Sequence, residues 1–137
     1  MDEPDLLTRS VIGAAIEVHR ETGPGLLESV YQRCLEHELG RLGIEFQRQA
    51  RIPIVYKGEV VTGDDLVMDL FFPGRLVVEL KAVEKLLPIH EARLLTYLRL
   101  ARIHTGLLIN FNVRLLKDGL KRMVISSLPP RGPADSS

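Results

Sequence analysis

Asp69, Glu79 and Lys81 are the residues of this chain whose types and spacing best suit chemistry. Two carboxylates offer hard oxygen ligands to a small divalent cation, and an ammonium beside them can stabilise developing negative charge or position a water. Glu79 and Lys81 lie in VVELKAV, residues 77–83, which otherwise reads as a buried strand. Strand side chains alternate between faces, so Val77, Glu79 and Lys81 share one side while Val78, Leu80 and Ala82 share the other. Taken alone, a Glu-x-Lys marks an edge strand or a solvated sheet face carrying a local ion pair. The chemistry therefore depends on whether the fold brings Asp69 to the same face.

DLVMDLFF (65–72) and RLVVELKA (75–82) flank Pro73-Gly74 and read as a hairpin. A two-residue loop would set Asp69 opposite Val78 and place the two carboxylates on opposite faces. A three-residue loop, Pro73-Gly74-Arg75, with Gly74 free to take positive φ, sets Asp69 opposite Glu79 and Val67 opposite Lys81. That register also collects Met68, Leu70, Phe72, Leu76, Val78 and Leu80 on one apolar face, so burial selects it. Carboxylates directly across a strand pair, about 5 Å apart at Cβ, repel and need a compensating cation. Mg²⁺ or Mn²⁺ would serve, since such ions keep several waters and take one or two carboxylates from a protein. Lys81 neutralising the pair by itself is the equally available alternative.

The remaining elements must hold this hairpin in place. Residues 5–22 carry Leu6, Ile12, Ala15, Ile16 and His19 at helical spacing, with Asp5 available as a cap and the run Gly23-Pro24-Gly25 to stop the helix. A second helix is predicted from about Leu26 to Leu42, with Leu27, Val30, Tyr31, Cys34, Leu35, Leu39 and Leu42 on its apolar side and Gly43 at its end. Residues 44–61 alternate at period two and are interrupted by Pro53 and by Lys57-Gly58, which predicts short strands of edge character. Pro88 opens a third helix to about Arg102, followed by strands over 105–111 and 119–126. The predicted order is α-α-β-β-β-β-α-β-β, one α/β domain over residues 1–128 with a mixed sheet flanked by helices, and a disordered tail over 129–137.

Composition bounds the alternatives. The 137 residues are 45% hydrophobic and 26% charged, the balance of a soluble globular domain. No apolar run approaches the ~20 residues that cross a bilayer, and the acidic start lacks the basic region of a signal peptide, so a cytoplasmic protein is expected. A single cysteine, Cys34, precludes an intrachain disulfide and any zinc site built on several cysteines. Net charge is zero but unevenly placed. Residues 1–74 hold 7 Lys/Arg against 13 Asp/Glu, and residues 75–128 hold 10 against 4. The second portion, with Arg93, Arg99, Arg102 and Lys121, is the expected source of phosphate contacts.

DLFFPGRLVVELKA, with Asp69 and then Glu79-x-Lys81, resembles the active-site hairpin of the PD-(D/E)xK nuclease superfamily. GLLESVY, with Gly25, Glu28 and Tyr31, resembles the signature of the GxxExxY family assigned to it. The likeness continues in order through PIVYKGEVV, VVELKAVEKLLPIHEARLLTYL, TGLLINF and LKRMV. It implies a restriction-endonuclease-like core, Asp69 and Glu79 as metal ligands, Lys81 as the catalytic lysine and Glu28 as the helix-borne acid that completes the site. By position alone, Glu28 sits in a first helical turn, where the helix dipole favours an anion whatever the function. Tyr31, three residues on, shares its face and is a candidate substrate contact.

His90, Arg93 and Tyr97 follow at spacings of three and four and form a second candidate substrate-binding stripe, opposite packing positions such as Ala92, Leu95 and Leu98. Arg93 stands where the family pattern has Gln. An arginine there can grip a phosphate more firmly or fill the site with a fixed cation. His90 can equally cap the helix, and His19 and His37 read as structural.

The expected function is Mg²⁺- or Mn²⁺-dependent hydrolysis of DNA or RNA. The rival from another class is a noncatalytic module that keeps the fold and binds nucleic acid or protein. With no Trp and seven Phe/Tyr for stacking, the chain could also depend on a protein partner, or a second copy in a homodimer, to recognise substrate.

Overall fold

Leu7, Val11, Ala14, Ala15 and Val18 recur every three or four residues and form the buried stripe of α1 (Glu3–Thr22). The stripe is rotated from the expected one, because Leu6 and Ile16 are exposed. The small Ala14 and Ala15 side chains let α1 approach α2 (Glu28–Arg41), which buries Tyr31, Leu35 and Leu39. Leu27 and Leu42, expected on the apolar side of α2, flank it and stay exposed, and Cys34 is only half-buried. Gly43 follows α2 at φ 72°, the left-handed position that releases the chain from a helix. The structure is a computed structural model that describes residues 3–61 and 66–126. Helix α1 begins two residues before Asp5, the expected cap, whose side chain is not among those described, and the tail over 129–137 lies outside the described residues.

Among the described residues seven strands follow: β1 (Gln47–Ile52), β2 (Val55–Tyr56), β3 (Glu59–Val60), β4 (Leu66–Phe72), β5 (Leu76–Lys81), β6 (Thr105–Asn110) and β7 (Leu120–Val124). The helix α3 (Pro88–Ala101) joins β5 to β6, and a 3₁₀ turn (Leu116–Gly119) leads into β7. The main sheet has the order β1-β4-β5-β6-β7, with β5 and β6 parallel and every other pair antiparallel. The segment 44–61 thus yields an edge strand and a separate ribbon of β2 and β3, one strand more than expected, turned at Lys57-Gly58 with both φ positive.

Two apolar layers enclose the sheet. Leu70, Phe72, Leu76, Val78 and Leu80 pack under α1 and α2 with Leu107, Ile109 and Phe111. Val77, Leu108, Ile52 and Met68 pack under α3 against Leu94, Tyr97 and Leu98. The connection through α3 is the crossover that two neighbouring parallel strands require. The result is the expected mixed sheet flanked by helices on both faces.

Asn110 and Gly119 tie the far side of the sheet to the end of β5. The Asn110 side chain accepts N–H bonds from Val83 and Asn112 and donates to the Val83 carbonyl, which fixes the chain just past Lys81. Gly119 lies against the Asn110 backbone so closely that a Cβ would sit 2.1 Å from its carbonyl oxygen. Gly119→Ala must therefore displace backbone, and a stability loss of about 3 kcal/mol or more in denaturant unfolding is expected. An unchanged midpoint would contradict this packing.

Candidate active site

The hairpin register is that of the three-residue loop. Leu70 faces Val78, Phe71 faces Val77 and Phe72 faces Leu76, with Gly74 at φ 73° and the Arg75 N–H bonded to the Phe72 carbonyl. The ladder then stops, and side chains take over where Asp69 and Glu79 meet. The Asp69 N–H donates to Glu79 Oε1 at 3.0 Å, and the Leu80 N–H donates to Asp69 Oδ2 at 2.8 Å. The carboxylates replace backbone carbonyls at the point where β4 and β5 part. Val67 and Lys81, expected to pair, lie beyond the ladder.

This break also corrects the expected apolar face. Met68 packs on the α3 side, with Phe71 and Leu66, while Leu70 and Phe72 lie on the other side. The alternation therefore changes phase at Asp69, as happens where a strand loses regular pairing. Across the sheet edge, Gln49 is likewise skipped in the pairing of β1 with β4 and takes φ 48°. A Gln seldom adopts that conformation without a specific hold. Here Gln49 Nε2 donates to Gln32 Oε1 at 2.9 Å and, at 3.4 Å, to Asp69 Oδ1. Buried Gln32 donates in turn to the Asp69 carbonyl at 2.8 Å. These two glutamines fix both ends of Asp69, and neither was expected; the available signal was Gln32 standing four residues after Glu28 on the same helical face.

Burial gives the carboxylates unusual acidities. Glu79 is 5% exposed, and its carboxyl is pushed up to about 9, first by loss of solvent and then by the Asp69 charge. Asp69 is also raised by burial, against the opposing pull of the Leu80 N–H, Gln49 and Lys81. The Glu28 carboxyl is raised as well, chiefly by partial desolvation, and feels both Lys81 and Asp69, although the residue is exposed overall. Three carboxyls and Lys81 thus share one electrostatic neighbourhood. The ion pairs among the described residues lie elsewhere, so Lys81 does not neutralise the pair by direct contact. Among the described residues no three or more His, Cys, Asp or Glu side chains gather into a metal cage. Two close carboxylates with water completing the shell remain a fitting donor set for a hard divalent ion.

A carboxyl raised in the folded chain holds a proton that the unfolded chain releases. That contribution is fully present below about pH 4.5 and is lost as pH rises toward about 9. In chelator, stability from urea unfolding is expected to decline steadily across this window. A stability that rises through neutral pH would contradict a buried, protonated Glu79.

The second stripe separates into different roles. Tyr97 is buried under the sheet in the α3 layer, and its hydroxyl acidity is pushed up to about 12 by burial and then by the Glu79 charge, which places it beside the site. Arg93 is exposed and influences both Tyr97 and His90. His90 caps α3, its Nδ1 accepting the Leu87 N–H at 3.0 Å, and its pKa is lowered by desolvation and then by Lys81 and Arg93. The packing face of α3 is Leu94, Tyr97 and Leu98, and Ala92, expected to pack, is exposed. Tyr31 is corrected most: it is fully buried, stacked on Phe111 at 4.5 Å, and so out of substrate reach. Its hydroxyl donates to the Gly23 carbonyl and accepts the Leu26 N–H, which anchors the loop that delivers Glu28. His19 is structural as expected, its Nε2 bonded to the Val113 carbonyl.

A sequence model of the PD-(D/E)XK nuclease superfamily matches residues 5–123. The chain belongs to the PD-(D/E)XK nuclease superfamily. The match spans the β4–β5 hairpin, where Asp69 and Glu79-x-Lys81 stand at the end at which the two strands diverge. Comparison with curated proteins and with solved structures returns no match. Among the described residues no helix is long and apolar enough to cross a membrane.

Proposed function

We propose that this PD-(D/E)XK protein is a divalent-metal-dependent phosphodiesterase acting on DNA or RNA, of the GxxExxY type, working in the cytoplasm. The observation that carries the reading is the meeting of Asp69 and Glu79, side chain to backbone, beside Lys81 at the divergence of β4 and β5. Asp69 and Glu79 are the residues to hold Mg²⁺ or Mn²⁺, with Glu28 joining from the first turn of α2. An ion bound there would supply a hydrolytic nucleophile at neutral pH and offset charge on the phosphoryl oxygens.

The chain's own residues have defined parts in this scheme. Asp69 is held at its amide, carbonyl and carboxylate, so its position costs no reorganisation when substrate arrives. Lys81 is anchored on β5 beside β6, with its carbonyl accepting the Phe111 N–H, and directs its ammonium's charge at the same carboxylates. It stabilises the charge that builds on phosphorus-bound oxygen. Arg93 borders the site from α3 and is the candidate to orient the substrate strand, while buried Tyr97 is a positioning residue beside Glu79.

The test is a panel of single- and double-stranded DNA and RNA incubated with Mn²⁺ or Mg²⁺ and with chelator. Cleavage of at least one substrate in metal alone is expected. Binding without cleavage under every condition would favour the noncatalytic module.

A further inference from the structure

A cavity of about 360 Å³ opens directly beside Asp69. Its walls are the first turns of α2 and the kinked edge strand β1. The walls carry opposite charge: Glu28 and Asp69 on one hand, Arg33 and Arg48 on the other. Both arginines lie within residues 1–74, the acidic portion of the chain, and are exposed. Gln49, at φ 48°, lines the space as well.

From this arrangement we infer that the cavity is a nucleotide subsite, in which Arg33 and Arg48 grip the phosphate next to the one under attack. This rests on the nuclease reading for its substrate. Three features favour it. The volume is at the low end of small-ligand clefts, roughly 300–1,000 Å³, and so suits one nucleotide unit rather than a duplex. The Nε of Arg48 is engaged by Glu36 at 3.3 Å, which orients the guanidinium and leaves its two terminal nitrogens for the fork geometry that phosphate prefers. Finally, the subsite is tied to the reaction centre. Glu36 also accepts a bond from Gln32 at 3.0 Å, and Gln32 and Gln49 hold Asp69. A phosphate fixed by Arg48 is thereby placed in register with the attacked phosphodiester through four hydrogen-bonded side chains.

The experiment measures binding without catalysis. A fluorescent single-stranded oligonucleotide and a nucleoside 5′-monophosphate are titrated into the full chain in chelator. The wild type is expected to bind both, the oligonucleotide more tightly. Arg33→Ala and Arg48→Ala should each weaken binding about tenfold, the scale of one charge-assisted contact, and lower the salt slope for the oligonucleotide by about 0.7. Arg48→Lys should recover part of the loss, since one charge returns without the fork. In the cleavage assay the same variants should raise KM and leave kcat within about twofold, the signature of lost ground-state binding. Wild-type affinity in the Arg33→Ala, Arg48→Ala double variant would overturn the subsite, even if the protein cleaves. Arginine-dependent binding by a protein that cleaves nothing would uphold the subsite and remove the nuclease reading. Circular dichroism of each variant confirms that the exposed substitutions leave the fold intact.

Discussion

Glu79→Gln is expected to raise thermal stability while removing both metal binding and cleavage. The wild-type carboxyl sits 5% exposed, facing Asp69, and its proton is lost only at about pH 9. Glutamine copies the protonated state. Its Oε1 still accepts the Asp69 N–H, and its amide N–H can donate to the Asp69 carboxylate as the carboxylic acid does. The variant therefore keeps the contacts and loses the titration. The gain grows with pH from about pH 4.5, where the unfolded carboxyl starts to ionise, so more than half of it is already present at neutral pH although the folded carboxyl is still largely protonated. Above about pH 9 both the folded and the unfolded carboxyl are ionised and the gain levels off, so the Tm difference between the two proteins should widen from about pH 5 to about pH 9 and then stay constant. The same substitution removes a charged oxygen ligand, so calorimetric titration with Mn²⁺ should show saturable binding by the wild type and none by the variant. In the wild type, the ion must displace the Glu79 proton. Its affinity should then rise about tenfold per pH unit below pH 9, with proton release visible as a buffer-dependent heat. Loss of stability in Glu79→Gln would show that Glu79 serves as a charged structural partner instead.

The register that joins Asp69 to Glu79 was legible because burial is unforgiving. Only the three-residue loop sends Leu70, Phe72, Leu76, Val78 and Leu80 to one layer, and a one-residue slip would expose all of them. Met68 escaped the same logic, because the strand alternation fails at Asp69 and nothing in the local hydrophobic pattern announces a break made by side-chain hydrogen bonds. Gln49 was hidden for a related reason. Its left-handed backbone is stabilised by Gln32 and Asp69, residues distant in sequence, whereas a glycine in that position would have declared itself. Tyr31 was misplaced because helical spacing puts it beside Glu28, yet the helix edge between them is the boundary of the core. Arg33 and Arg48 were not legible as neighbours, because net charge averages over a stretch and two arginines from different elements can meet inside an acidic one. On the basic portion, Lys121 is instead paired with Glu91, and Arg99 is bonded to Thr96.

Lys81→Ala is expected to slow the reaction without removing the metal. The lysine sits at the end of β5, two residues from Glu79 on the same face, and its charge acts on Asp69, Glu79 and Glu28 together. No ion pair among the described residues absorbs that charge, so it is available to a phosphoryl group. If its role is to meet charge that appears only in the transition state, truncation should lower kcat by roughly 10²–10³ and leave KM nearly unchanged. Both carboxylates remain, and with the competing ammonium gone the Mn²⁺ affinity should hold or rise. The ion-pair alternative forecasts the reverse: a stability loss from uncompensated carboxylates with no metal-linked effect. Single-turnover cleavage of a labelled oligonucleotide in Mn²⁺, compared between wild type and Lys81→Ala at matched metal occupancy, tests the assignment most directly. The account predicts metal-dependent cleavage by the wild type and a rate at least about 100-fold slower in the variant. Equal rates for the two proteins, or no metal-dependent cleavage by the wild type, would contradict it.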